Sequence, residues 1–182
     1  MIMIFSCLFT GCVNQHPKDS KKSSQGESVE TMLEITDPKE KQAVLNAKAK
    51  VKALSGNPRI VATSPAVADI CDKLDLDLVG VPKSSVSKIP SRYKKVKKVG
   101  LAMSPDMEIV SSLNPDWILA PSSLETDLKP KFEELKNTEY AFLNLRSVQG
   151  MYRSVQELGE IFGKQQEAEK MTKEFTTFYK SY

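Results

Sequence analysis

From residue 59 onward, short apolar runs rich in β-formers alternate with stretches whose apolar residues recur at helical spacing. Strands are predicted at 59–63, 77–81, 116–120 and 140–144, and helices at 66–74, 106–113, 124–135, 148–162 and 165–182. Such alternation favours a parallel sheet with crossover helices. The expected fold is α/β: a single Rossmann-like lobe over 59–164, with a short parallel sheet flanked by helices, followed from 165 by a long helix that reaches the end of the chain.

Before residue 59 the pattern is different. Residues 1–12 form an apolar run far short of the roughly twenty residues that span a bilayer. It reads as the tail of a secretion signal. Leu8-Phe9-Thr10-Gly11-Cys12 resembles a bacterial lipoprotein processing box, in which a small residue precedes a cysteine that is lipidated and becomes the new N-terminus. On that reading Cys7 leaves with the signal, Cys12 carries lipid, and Cys71 is the one free thiol, a small buried hydrophobe within an apolar helical pattern. Residues 13–58 are a polar tether. They contain the single histidine, His16, and a helix at about 38–55 announced by Asp37, Pro38 and Glu40 and stopped by Gly56. That helix either docks on the lobe or extends the tether.

Composition narrows the function. The 182 residues carry 26 Lys and Arg against 23 Asp and Glu, a formal charge of +3, which excludes a strongly electrostatic nucleic-acid binder. One histidine and three cysteines leave too few ligands for a zinc site built from this chain. Glycine-rich phosphate loops, nucleophile elbows and paired carboxylates at the strand ends are all lacking, so an enzyme is not expected.

What does recur is a serine where a strand hands over to a helix: Thr63-Ser64-Pro65, Met103-Ser104-Pro105 and Ser122-Ser123-Leu124-Glu125, the last with capping-box spacing. In a parallel sheet these points share the carboxyl edge, where open α/β sheets hold ligands. Any one of them is explained by good capping; three on one edge favour a ligand cleft. Residues 92–98, with Lys83 and Lys88 before them, form a dense basic stretch. It is either a solvated loop or a source of attraction for an anionic ligand or anionic lipid.

These residues suggest a family. Arg-Ile-Val-Ala-Thr-Ser from 59, Leu-Asp-Leu-Asp-Leu-Val-Gly-Val-Pro from 74, Ile-Pro-Ser-Arg-Tyr from 89, Val-Gly-Leu-Ala-Met-Ser-Pro-Asp-Met-Glu-Ile-Val from 99 and Leu-Asn-Pro-Asp-Trp-Ile-Leu-Ala from 113 resemble the iron and cobalamin class of ABC-transporter solute receptors. Within that class the chain is similar to the haem-binding lipoproteins. The resemblance implies two α/β lobes joined by one long helix with ligand between them; this chain matches the first lobe and the start of the connecting helix, and the second lobe is absent from it.

The resemblance further implies b-type haem as cargo, its iron held by a methionine from the first lobe and a histidine from the second. Met103 matches the methionine, and a thioether is a soft ligand suited to haem iron. Methionine is also a common core gap-filler, but a loop at the ligand edge favours the ligand role. Thr63, Ser64, Pro65, Ser84, Ser85, Ser104, Ser122 and Ser123 become haem-pocket candidates. Glu108 matches a glutamate that docks the lobe on an arginine of the permease, and it is also a favourable first-turn acid. The expected partners are haem, ABC permease subunits, the membrane through a lipid anchor on its extracytoplasmic face, and upstream haem-relay surface proteins. A ferric siderophore or cobalamin is the alternative cargo, and a non-transporting remnant lipoprotein the alternative role.

Overall fold

The computed structural model describes residue 35 and residues 37–180, with side chains described through residue 177. The signal segment 1–12, the lipidation site expected at Cys12, and His16 lie outside the described residues. Helix α1 (Pro38–Ala53) is capped by Asp37, whose Oδ1 accepts from Lys39 N at 2.8 Å. Then follow β1 (Ile60–Ala62), α2 (Pro65–Lys73), β2 (Leu78–Val81), β3 (Lys97–Lys98), β4 (Gly100–Leu101), β5 (Ser104–Pro105) and α3 (Met107–Ser112). The chain continues through β6 (Trp117–Pro121), α4 (Glu125–Glu133), β7 (Glu139–Leu143), α5 (Val148–Phe162) and α6 (Gln165–Lys180).

Five strands form one parallel sheet in the order β3-β2-β1-β6-β7. The order reverses direction between β1 and β6, so the crevice beyond their carboxyl ends is the topological switch point of the lobe. Alternate residues of each strand feed two cores. Ile60, Ala62, Trp117 and Leu119 pack with α2 and α5 on one face, and Val61, Ile118 and Ala120 pack with Val110 of α3 and Leu128 and Phe132 of α4 on the other. The sheet is thus covered on both sides. This explains why its strands read as continuous apolar runs.

Two expected caps are corrected. Ser104 does not cap the third helix: it lies in β5, paired with Leu101 in an antiparallel hairpin, and the cap is Asp106, whose Oδ1 accepts from Glu108 N and Ile109 N at 3.1 Å each. The aspartate stands directly before the first helical residue, and hairpin pairing holds the serine extended. Nor do Ser122 and Ser123 form a capping box. The chain instead makes a 3-10 turn over Ser122–Leu124, whose backbone bond from Glu125 N to Ser122 O satisfies the start of the helix without a side-chain cap.

The alternatives left open for α1 resolve to docking. Val44, Ala47 and Val51 pack against the core, Lys48 pairs with Glu160 of α5 at 2.6 Å, and Glu40 and Lys50 pair with Arg153 and Glu139. Helix α6 turns back along α5 after Gly163, which takes the left-handed φ of +70° that ends a helix. There the rings of Phe175 and Tyr152 stack 4.5 Å apart.

Candidate functional site

The strand order sets out the carboxyl edge. Beyond β3 comes the β4–β5 hairpin, whose tip carries Ala102 and Met103. Its entry depends on Gly100, at φ +97°, where an added Cβ would lie 2.9 Å from Asp106 N. Beside it runs the loop after β2, joined to the hairpin by Lys83 N donating to Gly100 O at 2.7 Å. The ends of β1, β6 and β7 follow, with Ala62 opposite Leu119 and Pro121 opposite Leu143. The sheet therefore sets all the sequence-predicted pocket residues along one edge.

Their exposure divides them. Thr63 and Ser64 are buried and bonded within the lobe: Thr63 Oγ1 donates to Leu119 O at 3.4 Å, and Ser64 Oγ accepts from Val67 N at 3.3 Å as the cap of α2. Pro65, Ser84 and Ser122 are half-buried; Ser85, Ser104 and Ser123 are exposed. Ser84 Oγ accepts from Ser87 N at 3.0 Å, which closes the turn after β2. Met103 is 74% exposed, so it fills no core gap. Glu108 is exposed in the first turn of α3.

Met103 has one exposed apolar neighbour on its own hairpin, Leu101, that the sequence patterns did not single out. Among the described residues five large hydrophobic side chains are exposed; Leu101 and Met103 share the β4–β5 hairpin, Val86 lies in the loop beyond β2, and Val148 opens α5 beyond β7, at the opposite edge of the sheet from β3. The one signal available in the sequence was Val86, alone among serines and lysines.

Beyond β7 lies a polar cleft of about 280 Å³ lined by residues including Glu40, Asn144, Ser147, Arg153 and Glu157. Ser147 caps α5 by accepting from Gly150 N at 3.0 Å. Burial, and then the neighbouring Glu40 carboxyl, push the Glu157 carboxyl up to about 7 against the pull of Arg153. Arg153 Nε is buried with no hydrogen-bond partner. Two further clefts, of about 440 Å³ between α1, α5 and α6 and about 510 Å³ beside Asn114 and Asn137, lie away from the carboxyl edge.

The basic stretch is split. Arg92 binds Asp75 at 2.8 Å and Asp77 at 2.7 Å, on the chain entering the amino end of β2, far along the strand from the ligand edge. Cys71 is buried and its thiol is pushed up to about 12 by desolvation, which leaves it an inert core residue. No group of three or more His, Cys, Asp or Glu among the described residues is arranged to hold a metal ion, and no described helix is long and apolar enough to cross a membrane.

Residues 60–181 match the family model described as periplasmic binding protein. The chain is 36% identical over 117 residues to the high-affinity heme uptake system protein IsdE of Staphylococcus aureus, covering 64% of this chain and 39% of that protein. Among solved structures, an ABC transporter substrate-binding protein from Listeria monocytogenes EGD-e is 44% identical with a TM-score of 0.64, over 67% of this chain and 46% of that one. S. aureus IsdE complexed with heme is 34% identical with a TM-score of 0.63, over the same shares. The siderophore binding protein BauB, bound to two molecules of acinetobactin and ferric iron, is 25% identical with a TM-score of 0.57, over 66% of this chain and 45% of that one. The chain thus spans less than half the length of these relatives.

Proposed function

The chain belongs to the periplasmic binding protein family, and on that premise we propose that it is the first lobe of a lipid-anchored haem receptor serving an ABC importer at the extracytoplasmic face of the membrane. The observation that carries this reading is the Met103 thioether, 74% exposed at the hairpin tip beyond β3. It is offered to solvent on the ligand edge, with Leu101 of the same hairpin also exposed. A porphyrin is a large apolar plate with two carboxylates, so it asks for a soft iron ligand, apolar walls and a few polar contacts. Met103 supplies the first, Leu101 of the same hairpin part of the second, and Ser85, Ser104 and Ser123 the third. Pro65, Ser84 and Ser122, half-buried on the same edge, complete the candidate wall, with Thr63 and Ser64 buried behind them. A partner ligand from a second lobe would fill the other axial position.

The proposed work is binding and hand-over, with no bond made or broken. Glu108, exposed at the start of α3, is the proposed docking charge for a permease arginine, and Cys12 the proposed lipid site. Titration with hemin followed by visible absorbance tests the reading. Met103→Ala is expected to weaken binding by about tenfold or more, since one lost axial ligand is worth at least about 1.4 kcal/mol. Unchanged spectra and affinity in the variant would refute the ligand assignment. A ferric siderophore is the second reading, supported by the BauB similarity; retention of such a complex together with no affinity for hemin would establish it instead.

A further inference from the structure

Residues 83–98 contain six lysines and Arg92 but no acidic residue. Those seven positive charges exceed the +3 of the whole chain, so the remainder is net negative. Arg92 is engaged by Asp72, Asp75 and Asp77. None of Lys83, Lys88, Lys94, Lys95, Lys97 and Lys98 takes part in any of the ion pairs among the described residues. All but the half-buried Lys98 are exposed. They follow the crossover from β2 and then β3, the outermost strand of the sheet. Between Lys83 and Lys88 the turn closed by Ser84 projects Val86, which is 95% exposed.

We propose that this lysine-bearing edge docks on an anionic membrane surface. Protein interfaces draw on aromatic and arginine anchors, and here both are withdrawn: Tyr93 is buried with its hydroxyl donating to Leu76 O, and Arg92 is held by three aspartates. What faces outward is lysine, serine and one protruding valine. Hydrated point charges on flexible stems fit a surface of diffuse negative charge, and a lone apolar tip fits shallow contact with the headgroup layer. Lysines on an edge strand also discourage strand pairing, but that accounts only for Lys97 and Lys98. The other four lie in the connection, where no strand edge needs protection. The proposal is independent of the cargo and of the lipid anchor.

The test is sedimentation of the full chain with vesicles of mixed phosphatidylglycerol and phosphatidylcholine, and with phosphatidylcholine alone. The ratio of the two partition coefficients cancels any apolar contribution from the N-terminal segment. Each lysine near an anionic surface contributes about fivefold, so K88Q/K94Q/K95Q/K97Q is expected to lower the ratio by about tenfold or more, and added salt to lower the wild-type ratio. K94Q/K95Q alone, outside β3, is expected to give a partial loss, which keeps the test independent of strand integrity. K129Q/K131Q/K136Q/K170Q, with lysines from other elements, is expected to leave the ratio within about twofold. Hemin affinity stays unchanged in all three variants, which separates this proposal from the cargo assignment. Equal wild-type binding to both vesicle types, an equal loss in the third variant, or preference for polyglutamate over anionic vesicles would overturn it, the last in favour of an acidic protein partner.

Discussion

At the amino ends of the parallel strands the chain is cross-linked by polar contacts. Arg59 N donates to Asp116 Oδ2 at 2.7 Å, and the Arg59 guanidinium reaches Leu113 O at 2.7 Å, tying β1 to the turn before β6. Arg92 and Lys164 converge on Asp75, the Tyr93 hydroxyl donates to Leu76 O, and Thr138 Oγ1 donates to Pro115 O at 3.0 Å. At the carboxyl ends of the same strands, Val86, Leu101, Met103 and Val148 are left to solvent. Apolar side chains exposed at one end, while polar ones at the other are tied down, separate two tasks. One end holds the lobe together, and the other leaves apolar side chains open on the edge proposed to hold the ligand.

The separation is most severely tested by equal truncations at the two ends. Tyr93 is buried in the core and bonded at the amino end, so Tyr93→Ala is expected to cost about 3–5 kcal/mol in urea unfolding. Leu101→Ala and Met103→Ala, at 59% and 74% exposure, are expected to stay within about 0.5 kcal/mol of wild type. A loss of stability at Met103 comparable to that at Tyr93 would dissolve the distinction between the ends.

A subtler substitution joins stability to binding. Gly100 sits at φ +97°, and its missing Cβ is what lets Asp106 N and Ser104 O approach. Gly100→Ala is expected to cost about 2 kcal/mol, from a disfavoured backbone region and contact with main-chain atoms that cannot turn aside. The hairpin then shifts, and hemin affinity is expected to fall with Met103 itself intact. Destabilisation with wild-type hemin affinity would show that the hairpin geometry is immaterial to the site.

The elements of the lobe were legible in the sequence because the strands buried on both faces are plain apolar runs, and because Ser64 caps the helix it precedes. The edge strand β3 was not legible. Two lysines form it, and its strand character comes from pairing with Gly80 and Val81 rather than from any alternation of its own. The hairpin escaped for the same reason: Gly100 and Leu101 pair with Pro105 and Ser104 over two residues each, too short for a periodic signal. At the candidate site, Met103 was singled out through the resemblance, whereas the exposure of Leu101 and Val148 was not foreseen. Exposure of a leucine or valine depends on what the fold leaves uncovered, and a sequence pattern assigns such residues to the core.

The smallest expected effect is in pH, where the two ends respond in opposite directions. Asp75 is held below its ordinary 3.8 by hydrogen bonds from Lys164 and Arg92. A carboxyl depressed by folding contributes stability present above its unfolded value, and that contribution is lost as pH falls through the folded one. Glu157, beside the end of β7, goes the other way: burial and Glu40 raise it from 4.5 to about 7. Its contribution is present below about 4.5 and is lost as pH rises through about 7. Because Glu157 is only half-buried and solvent screens it, that loss is expected to be about 1 kcal/mol. Urea midpoints taken from pH 3 to pH 8 should therefore fall on both sides of a maximum. Asp75→Asn is expected to flatten only the acid limb and Glu157→Gln only the neutral one. If Glu157→Gln leaves the neutral limb intact, the carboxyl pair with Glu40 is not its source, and the polar contrast between the two ends rests on Asp75 and its cations alone.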